Sequence, residues 1–203
     1  MKEIFEDIVH NQKWKKSTCG PGSTIGYTKN LREKLKPLLI KHNIKSMLDI
    51  PCGDYSWMSL INVQEVVNYT GGDIVEFLIK ENKLKYPNVN FSVFNLTTDK
   101  LPDIDLLFCR DCLLHLSFED IDKVFKNISE SNIKYILTSN WFEDATNDRN
   151  ILTGSWRYVN FLDSPYNFEK PLDSIVDFVE GFPRREMLLW PKSVIDLYVK
   201  NKK

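Results

Sequence analysis

Three short segments place acids, glycines and polar side chains where a nucleoside could be held. They are Leu48-Asp49-Ile50-Pro51-Cys52-Gly53-Asp54, Gly71-Gly72-Asp73-Ile74 and Phe94-Asn95-Leu96. Each ends an apolar run of strand type. In an open α/β sheet, ligands bind beyond the carboxyl ends of the strands. A carboxylate ending the second strand, after a glycine-bearing first turn, can accept from both hydroxyls of a ribose. Asp73 has that position. The dinucleotide pattern G-x-G-x-x-G is missing, since Gly53 alone represents it, so a pyrophosphate could not approach this turn in the usual way. A fourth segment, Asp105 to Leu116, carries Arg110, Asp111 and His115. His115 could take a proton from an acceptor hydroxyl, and packing in the core is the alternative for it. Asp111 is the second candidate base, and could equally pair with Arg110.

Further along, Asn140-Trp141 directly follows an apolar run and could line an acceptor pocket. Gly154-Ser-Trp-Arg157 offers an arginine that could grip an anionic acceptor bidentately, or stack on Trp156 and close its loop. Near the start, Cys19-Gly-Pro-Gly-Ser-Thr24 is either an anion nest of backbone N–H groups or a plain helix-entry loop. The four cysteines, Cys19, Cys52, Cys109 and Cys112, are too sparse for a disulfide-stapled fold. Cys109, Cys112 and His115 with Cys52 could in principle hold zinc, but the paired C-x-x-C knuckles of structural sites are absent. The expectation is no metal, with the cysteines acting as small apolar residues.

The elements that position these residues alternate between strand and helix. Residues 28–43 read as a helix with Leu31, Leu35, Leu38 and Leu39 on one face, and Pro37 is expected to kink or split it. Strands are expected at Ser46–Ile50, Glu65–Tyr69, Val89–Phe94, Ile104–Cys109, Tyr135–Ser139, Tyr158–Leu162 and Glu186–Trp190. Helices are expected at Val75–Lys85, after Ser117, at Leu172–Val179 and in the tail beyond Pro191. Ser117 and Asp120 form a capping box with Asp in place of Glu. Ile104–Cys109 is continuously apolar, as strands of parallel sheets are when both faces are covered. The order of elements predicts a three-layer α/β fold with a mainly parallel seven-stranded sheet and helices on both faces. Residues 1–45 read as an N-terminal helical segment and possible substrate or cofactor lid, and residues 46–203 as the core domain.

The motif set resembles the class I S-adenosylmethionine-dependent methyltransferases, whose fold is Rossmann-like. Leu48-Asp-Ile-Pro-Cys-Gly-Asp54 is similar to their first motif, and Gly72-Asp73-Ile74 to their second. Asn95-Leu96 stands at their third, and Asp105 to Leu116 resembles their fourth-strand region. Asp49 and Asp73 are 24 positions apart, and Asp73 and Asn95 are 22 apart. The likeness covers residues 46 to 140. It implies S-adenosylmethionine as cofactor, bound by Asp49, Pro51, Cys52, Gly53, Asp73, Ile74, Asn95, Leu96 and Arg110. In that scheme Asp49 organises the first turn near the methionine amino group. Asp73 holds the ribose, Asn95 Oδ1 meets the adenine amino group, Ile74 and Leu96 flank the ring, and Arg110 lies at the methionine end. Pro51 and Tyr55 replace the first and third glycines of the family's turn, which stiffens it. Asn95 in place of Asp keeps an acceptor.

Composition narrows the setting. The chain has 203 residues and a formal net charge of −1, and 42% of it is hydrophobic. No stretch approaches the roughly 20 apolar residues of a membrane span, and the acidic N-terminus is unlike a signal peptide. A cytoplasmic protein without a membrane partner is expected. Residues 1–45 carry ten bases and four acids, and residues 46–203 carry 17 bases and 24 acids. This split, +6 against −7, offers an entry for an anionic acceptor. The expected activity is O-methylation of a small polar or anionic metabolite, such as a sugar or capsule precursor. His115 or Asp111 would be catalytic, and Asn140, Trp141 and Arg157 would touch the substrate. Alternatives are an RNA or protein methyltransferase using the basic segment, or a non-catalytic S-adenosylmethionine-binding protein. A nucleic-acid partner is disfavoured by the bulk charge, and by the absence of Asn/Asp-Pro-Pro-Tyr after the fourth strand. So small a chain could also draw specificity from a second copy, as a homodimer.

Overall fold

The computed structural model describes all residues except 15–17, 144, 146 and 203. Its strands are β1 (Ser46–Asp49), β2 (Asn68–Asp73), β3 (Asn90–Val93), β4 (Leu106–Cys109), β5 (Tyr135–Trp141), β6 (Asp173–Val176) and β7 (Arg185–Pro191). Its helices are α1 (Lys2–His10), α2 (Lys29–Lys41), α3 (Glu76–Lys85), α4 (Phe118–Ser129) and α5 (Ser193–Asn201). The strands form one sheet in the order β3-β2-β1-β4-β5-β7-β6. Strands β1 to β5 pair in parallel, and β7 runs antiparallel to both β5 and β6. The expected three-layer α/β fold with a mainly parallel seven-stranded sheet is what the structure has.

Connections from β1 run outward through β2 to β3, and the chain then returns to place β4 on the other side of β1. That reversal opens a crevice above the carboxyl ends of β1 and β4. The core fills both faces of the sheet. On one, Leu31, Leu35 and Leu39 of α2 are fully buried against Met47, Leu106 and Phe108. Each such side chain contributes about 1.5–3 kcal/mol by leaving water. On the other, Ile121, Val124, Phe125 and Ile128 of α4 pack with Phe161, Phe168 and Trp190. Ser117 caps α4 as expected, its hydroxyl accepting from the Asp120 N–H at 3.2 Å.

Four expectations change. Helix α2 runs unbroken through Pro37, because Pro37 and Glu33 both lie on its exposed face, where water can satisfy the carbonyl that proline leaves unpaired. Strand β2 continues through both glycines to Asp73. Residues 158–162 are not a strand: Asn140 Oδ1 accepts from the Phe161 N–H at 2.7 Å, so a side chain replaces the ladder. Residues 173–176 are a strand and not part of a helix. Leu172, Ile175, Val176 and Val179 mimic a helical spacing, but pairing with β7 decides the conformation. The 1–45 segment contains α1 and α2, of which α2 is core. Lys15 and Lys16 of its basic run lie outside the described residues. Among the described residues no helix is long and apolar enough to cross a membrane.

Candidate functional site

A cavity of about 360 Å³ lies at the switch point, walled by the ends of β1, β2 and β4, by α1 and by the Gly20–Ser23 loop. Asp49, Pro51, Cys52, Gly53, Asp73, Ile74, Asn95, Leu96, Arg110, Asp111, His115 and Trp141 all line it. Asn140 and Arg157 do not.

The first turn is tied to the second strand. The Cys52 N–H donates to the Gly72 carbonyl at 2.8 Å, and the Gly53 N–H donates to Asp73 Oδ2 at 3.0 Å. Gly53 has φ +56°, and a Cβ there would lie 2.6 Å from Cys19 Sγ, so only glycine fits. Tyr55 takes a left-handed conformation, φ +57°, at the third-glycine position. Its ring packs away from the cavity among Tyr69, Tyr86 and Phe91. The turn is thus held by an aromatic cluster where the family uses glycine.

Asp73 accepts the Val75 N–H through Oδ1 at 2.9 Å. Its partners are backbone donors, and burial pushes its carboxyl up to about 6 in spite of them. Asp49 accepts the Tyr69 hydroxyl at 2.7 Å, and burial carries it to about 7. Each oxygen of a carboxylate can accept twice, so Asp73 retains capacity for a ligand's donors. Asn95 departs from expectation. Its Oδ1 already accepts the Thr97 N–H at 3.1 Å and the Thr97 hydroxyl at 2.7 Å. Both lone pairs serve a local turn, so adenine contact through that oxygen is not available without breaking it.

Beyond Arg110 the wall is a charge network of two arginines and two aspartates, in which Arg185 Nη2 makes no hydrogen bond. Arg110 Nε donates to Asp177 Oδ2 at 2.8 Å, and its Nη2 donates to the Gly22 carbonyl at 2.8 Å. Arg185 Nη1 donates to both oxygens of Asp111, at 2.6 and 2.8 Å. Arg185 Nη2 lies 2.8 Å from Asp177 Oδ2. Burial by itself would raise the Asp111 carboxyl, but Arg185 and Arg110 outweigh it and hold the group below its ordinary range. Asp111 is therefore a charged structural partner and a weak base. The Gly-Pro-Gly loop offers the Gly22 carbonyl to Arg110, and the Ser23 and Thr24 N–H groups donate within the loop, so it serves as a buttress.

His115 is half-buried. Its Nδ1 donates to the Ser155 carbonyl at 2.8 Å, which leaves Nε2 as the acceptor nitrogen. Burial lowers its proton affinity below the ordinary value, outweighing the Ser155 carbonyl and Asp111. The ring faces Trp14, with centroids 5.3 Å apart. Trp141 stacks on Tyr158 at 5.6 Å, and Tyr158 touches Trp156 at 5.2 Å.

Two expected substrate residues are structural. Asn140 is fully buried and braces the loop through Asn160 and Phe161. Arg157 is buried over the Phe118 ring and donates to the Leu116 carbonyl at 2.7 Å. Trp156 and Tyr158 line the cavity and Arg157 between them does not. Arg185, Trp14, Tyr27 and Phe182 were not singled out from sequence. The β5–β7 register puts Arg185 opposite Trp141, and no local motif encodes that pairing. Among the described residues, no group of His, Cys, Asp and Glu is arranged to hold a metal.

Many solved structures match this chain in overall fold. The chain has the fold of the class I S-adenosylmethionine-dependent methyltransferases. An S-adenosylmethionine-dependent methyltransferase from Leishmania major superposes with a TM-score of 0.64 at 13% identity, covering 92% of this chain and 83% of that one. Magnesium protoporphyrin IX methyltransferase from Synechocystis, with S-adenosylmethionine bound, gives 0.62 at 15% identity, covering 94% and 96%. The 1,6-didemethyltoxoflavin N1-methyltransferase of Burkholderia thailandensis, holding its substrate and S-adenosylhomocysteine, gives 0.60 at 13% identity, covering 94% and 86%. No protein-family model matches the sequence, and no curated protein does. The methyltransferase fold thus rests on shape.

Proposed function

We propose that the protein is an S-adenosylmethionine-dependent methyltransferase that methylates a hydroxyl of a small acceptor, with His115 as general base. The observation that carries this reading is a single cavity lined by Asp49, Gly53 and Asp73 and by an Nδ1-anchored His115. The cavity residues fit the cofactor. Asp73 is a buried carboxylate with backbone partners and spare acceptor capacity, suited to the ribose diol. Asp49 supplies a second acid toward the cationic methionine end. Gly53 brings the turn backbone to the ligand, and Ile74 and Leu96 give apolar walls to a purine. When bound, S-adenosylmethionine supplies a methyl group on a sulfonium that needs no further activation.

The protein's own work is then positioning, water exclusion and proton removal. Holding an acceptor in line can contribute about 7–11 kcal/mol at the upper end. His115, neutral because burial disfavours its charged form, accepts the hydroxyl proton at Nε2, while Ser155 fixes the tautomer. Helix α1 brings Met1, Phe5 and Val9 over the cavity, which supports a lid role for the N-terminal segment. A charged acceptor such as a sugar phosphate has lost two supports, since Arg157 is buried elsewhere and the Gly-Pro-Gly loop serves Arg110. A small-molecule acceptor fits a cavity of about 360 Å³ better than a macromolecule does. The test is His115→Ala: S-adenosylhomocysteine affinity within twofold of wild type and turnover lowered at least a hundredfold support the reading. Unchanged turnover refutes the base.

A further inference from the structure

The acceptor end of the cavity has a specific chemistry. From His115 the wall continues through Ser155 to Trp156, then Tyr158 and Trp141 in successive ring contacts. Trp14, also in the wall, packs its ring against His115. Trp156 is 60% exposed, although it is the kind of large indole that proteins normally bury. An exposed indole at a cavity mouth, in contact with an inward tyrosine, offers its face to a ligand.

Charge argues the same way. Asp49, Asp54, Asp73 and Asp111 line the cavity against Arg110 and Arg185. Arg110 is matched in charge by Asp177 and Arg185 by Asp111, so the two guanidinium charges are balanced within the wall, although Arg185 Nη2 makes no hydrogen bond. Among the described residues no lysine lines the cavity. The walls carry an excess of acid, which suits a cationic sulfonium and repels a phosphorylated or carboxylated acceptor. Sugars also ask for many hydrogen-bond partners, whereas Trp14, Trp141, Trp156 and Tyr158 present mainly faces and edges.

We propose that the acceptor is a neutral planar aromatic hydroxyl compound, of the phenol, catechol or naphthol class, held against Trp14, Trp156 and Tyr158 with its hydroxyl at His115 Nε2. The proposal rests on the methyltransferase reading above. A phenol suits His115 because its proton is far easier to remove than that of an aliphatic alcohol. The hydroxyl proton passes to Nε2, the new oxygen–methyl bond forms as the carbon–sulfur bond breaks, and the electron pair of that bond stays on sulfur. His115 then returns its proton to solvent.

The protein saturated with S-adenosylhomocysteine is titrated with catechol, 2-naphthol and a neutral flavonol, and separately with glucose and glucose 6-phosphate, while tryptophan fluorescence is followed. S-adenosylhomocysteine production from S-adenosylmethionine is measured with the same compounds. Quenching and turnover with at least one aromatic hydroxyl and with neither sugar are expected. Trp156→Ala, a change at an exposed position, should raise the KM of that acceptor at least tenfold and leave S-adenosylhomocysteine affinity within twofold. Turnover confined to the sugars, no quenching by any of the three aromatics, or an unchanged KM in Trp156→Ala overturns the proposal. Failure of S-adenosylhomocysteine to bind at the outset instead overturns the methyltransferase reading, so the two failures are separable.

Discussion

The Nδ1 of His115 donates to the carbonyl of Ser155 across 2.8 Å. That bond joins the turn after β4 to the loop after β5, and it determines which imidazole nitrogen is free to accept a proton. Burial lowers the proton affinity of the ring below its ordinary value of 6.5. The neutral, basic form is therefore populated at lower pH than for a solvated histidine. The pH profile of kcat/KM should rise to its plateau with a midpoint below 6.5. His115→Gln should abolish that limb and lower kcat by about 10²- to 10⁴-fold. Retention of the same limb in the variant would show that another group titrates.

Asp49 sets a stability effect of opposite sign to a salt-bridged acid. Its carboxyl moves from an ordinary 3.8 to about 7 in the fold, because burial penalises the charge. A group raised in this way contributes stability that is complete below 3.8 and lost as pH rises toward 7. Asp49→Asn keeps an acceptor for the Tyr69 hydroxyl and removes the buried charge. The ligand-free variant should unfold at higher urea than wild type at pH 8, and this advantage should shrink steadily as pH is lowered from 7 toward 3.8. A variant weaker than wild type at pH 8 would mean that Asp49 is held ionised by partners stronger than its burial.

Arg157 should behave as a brace. Arg157→Ala loses the bond to the Leu116 carbonyl and the contact with Phe118. Stability should drop by roughly 1–3 kcal/mol, measured by thermal unfolding, with the acceptor KM unchanged at a temperature where the variant is folded. A raised KM at unchanged stability would restore the anion-binding role.

Gly22 carries a further prediction. A Cβ there would lie 2.9 Å from Asp111 Oδ2, and that oxygen is fixed by Arg185. Gly22→Ala should cost about 1–3 kcal/mol of stability and weaken cofactor binding, because the loop it displaces is part of the cavity wall. Calorimetric affinity equal to wild type would show that the loop shifts without consequence for the site.

The part of the cavity at the strand ends was legible because its residues are local in sequence. Asp49, Gly53, Asp73 and Leu96 each sit just past an apolar run, so strand periodicity locates them at the same edge of the sheet. The rest of the cavity wall was not, because its parts meet only through tertiary pairing. Arg185 reaches the site by antiparallel register with β5, and Trp14 reaches it from the N-terminal segment. Arg157 and Asn140 misled for a related reason: sequence names the segment a polar residue occupies and not the side to which it points. Residues 172–179 misled because an edge strand's spacing coincided with a helical one. The charge split at residue 45 also lost its meaning for the site, since Lys36 and Lys41 are ion-paired with Glu65 and Asp173 on the outside of the fold.

Asp73 bears the central claim, that this cavity binds S-adenosylmethionine by its ribose. Calorimetric titration of wild type and Asp73→Ala with S-adenosylhomocysteine tests it most directly. The expected result is one site per chain in wild type and at least tenfold weaker binding in the variant, which loses a charged acceptor. No heat of binding in wild type at high micromolar ligand, or equal affinity in the two proteins, would contradict it.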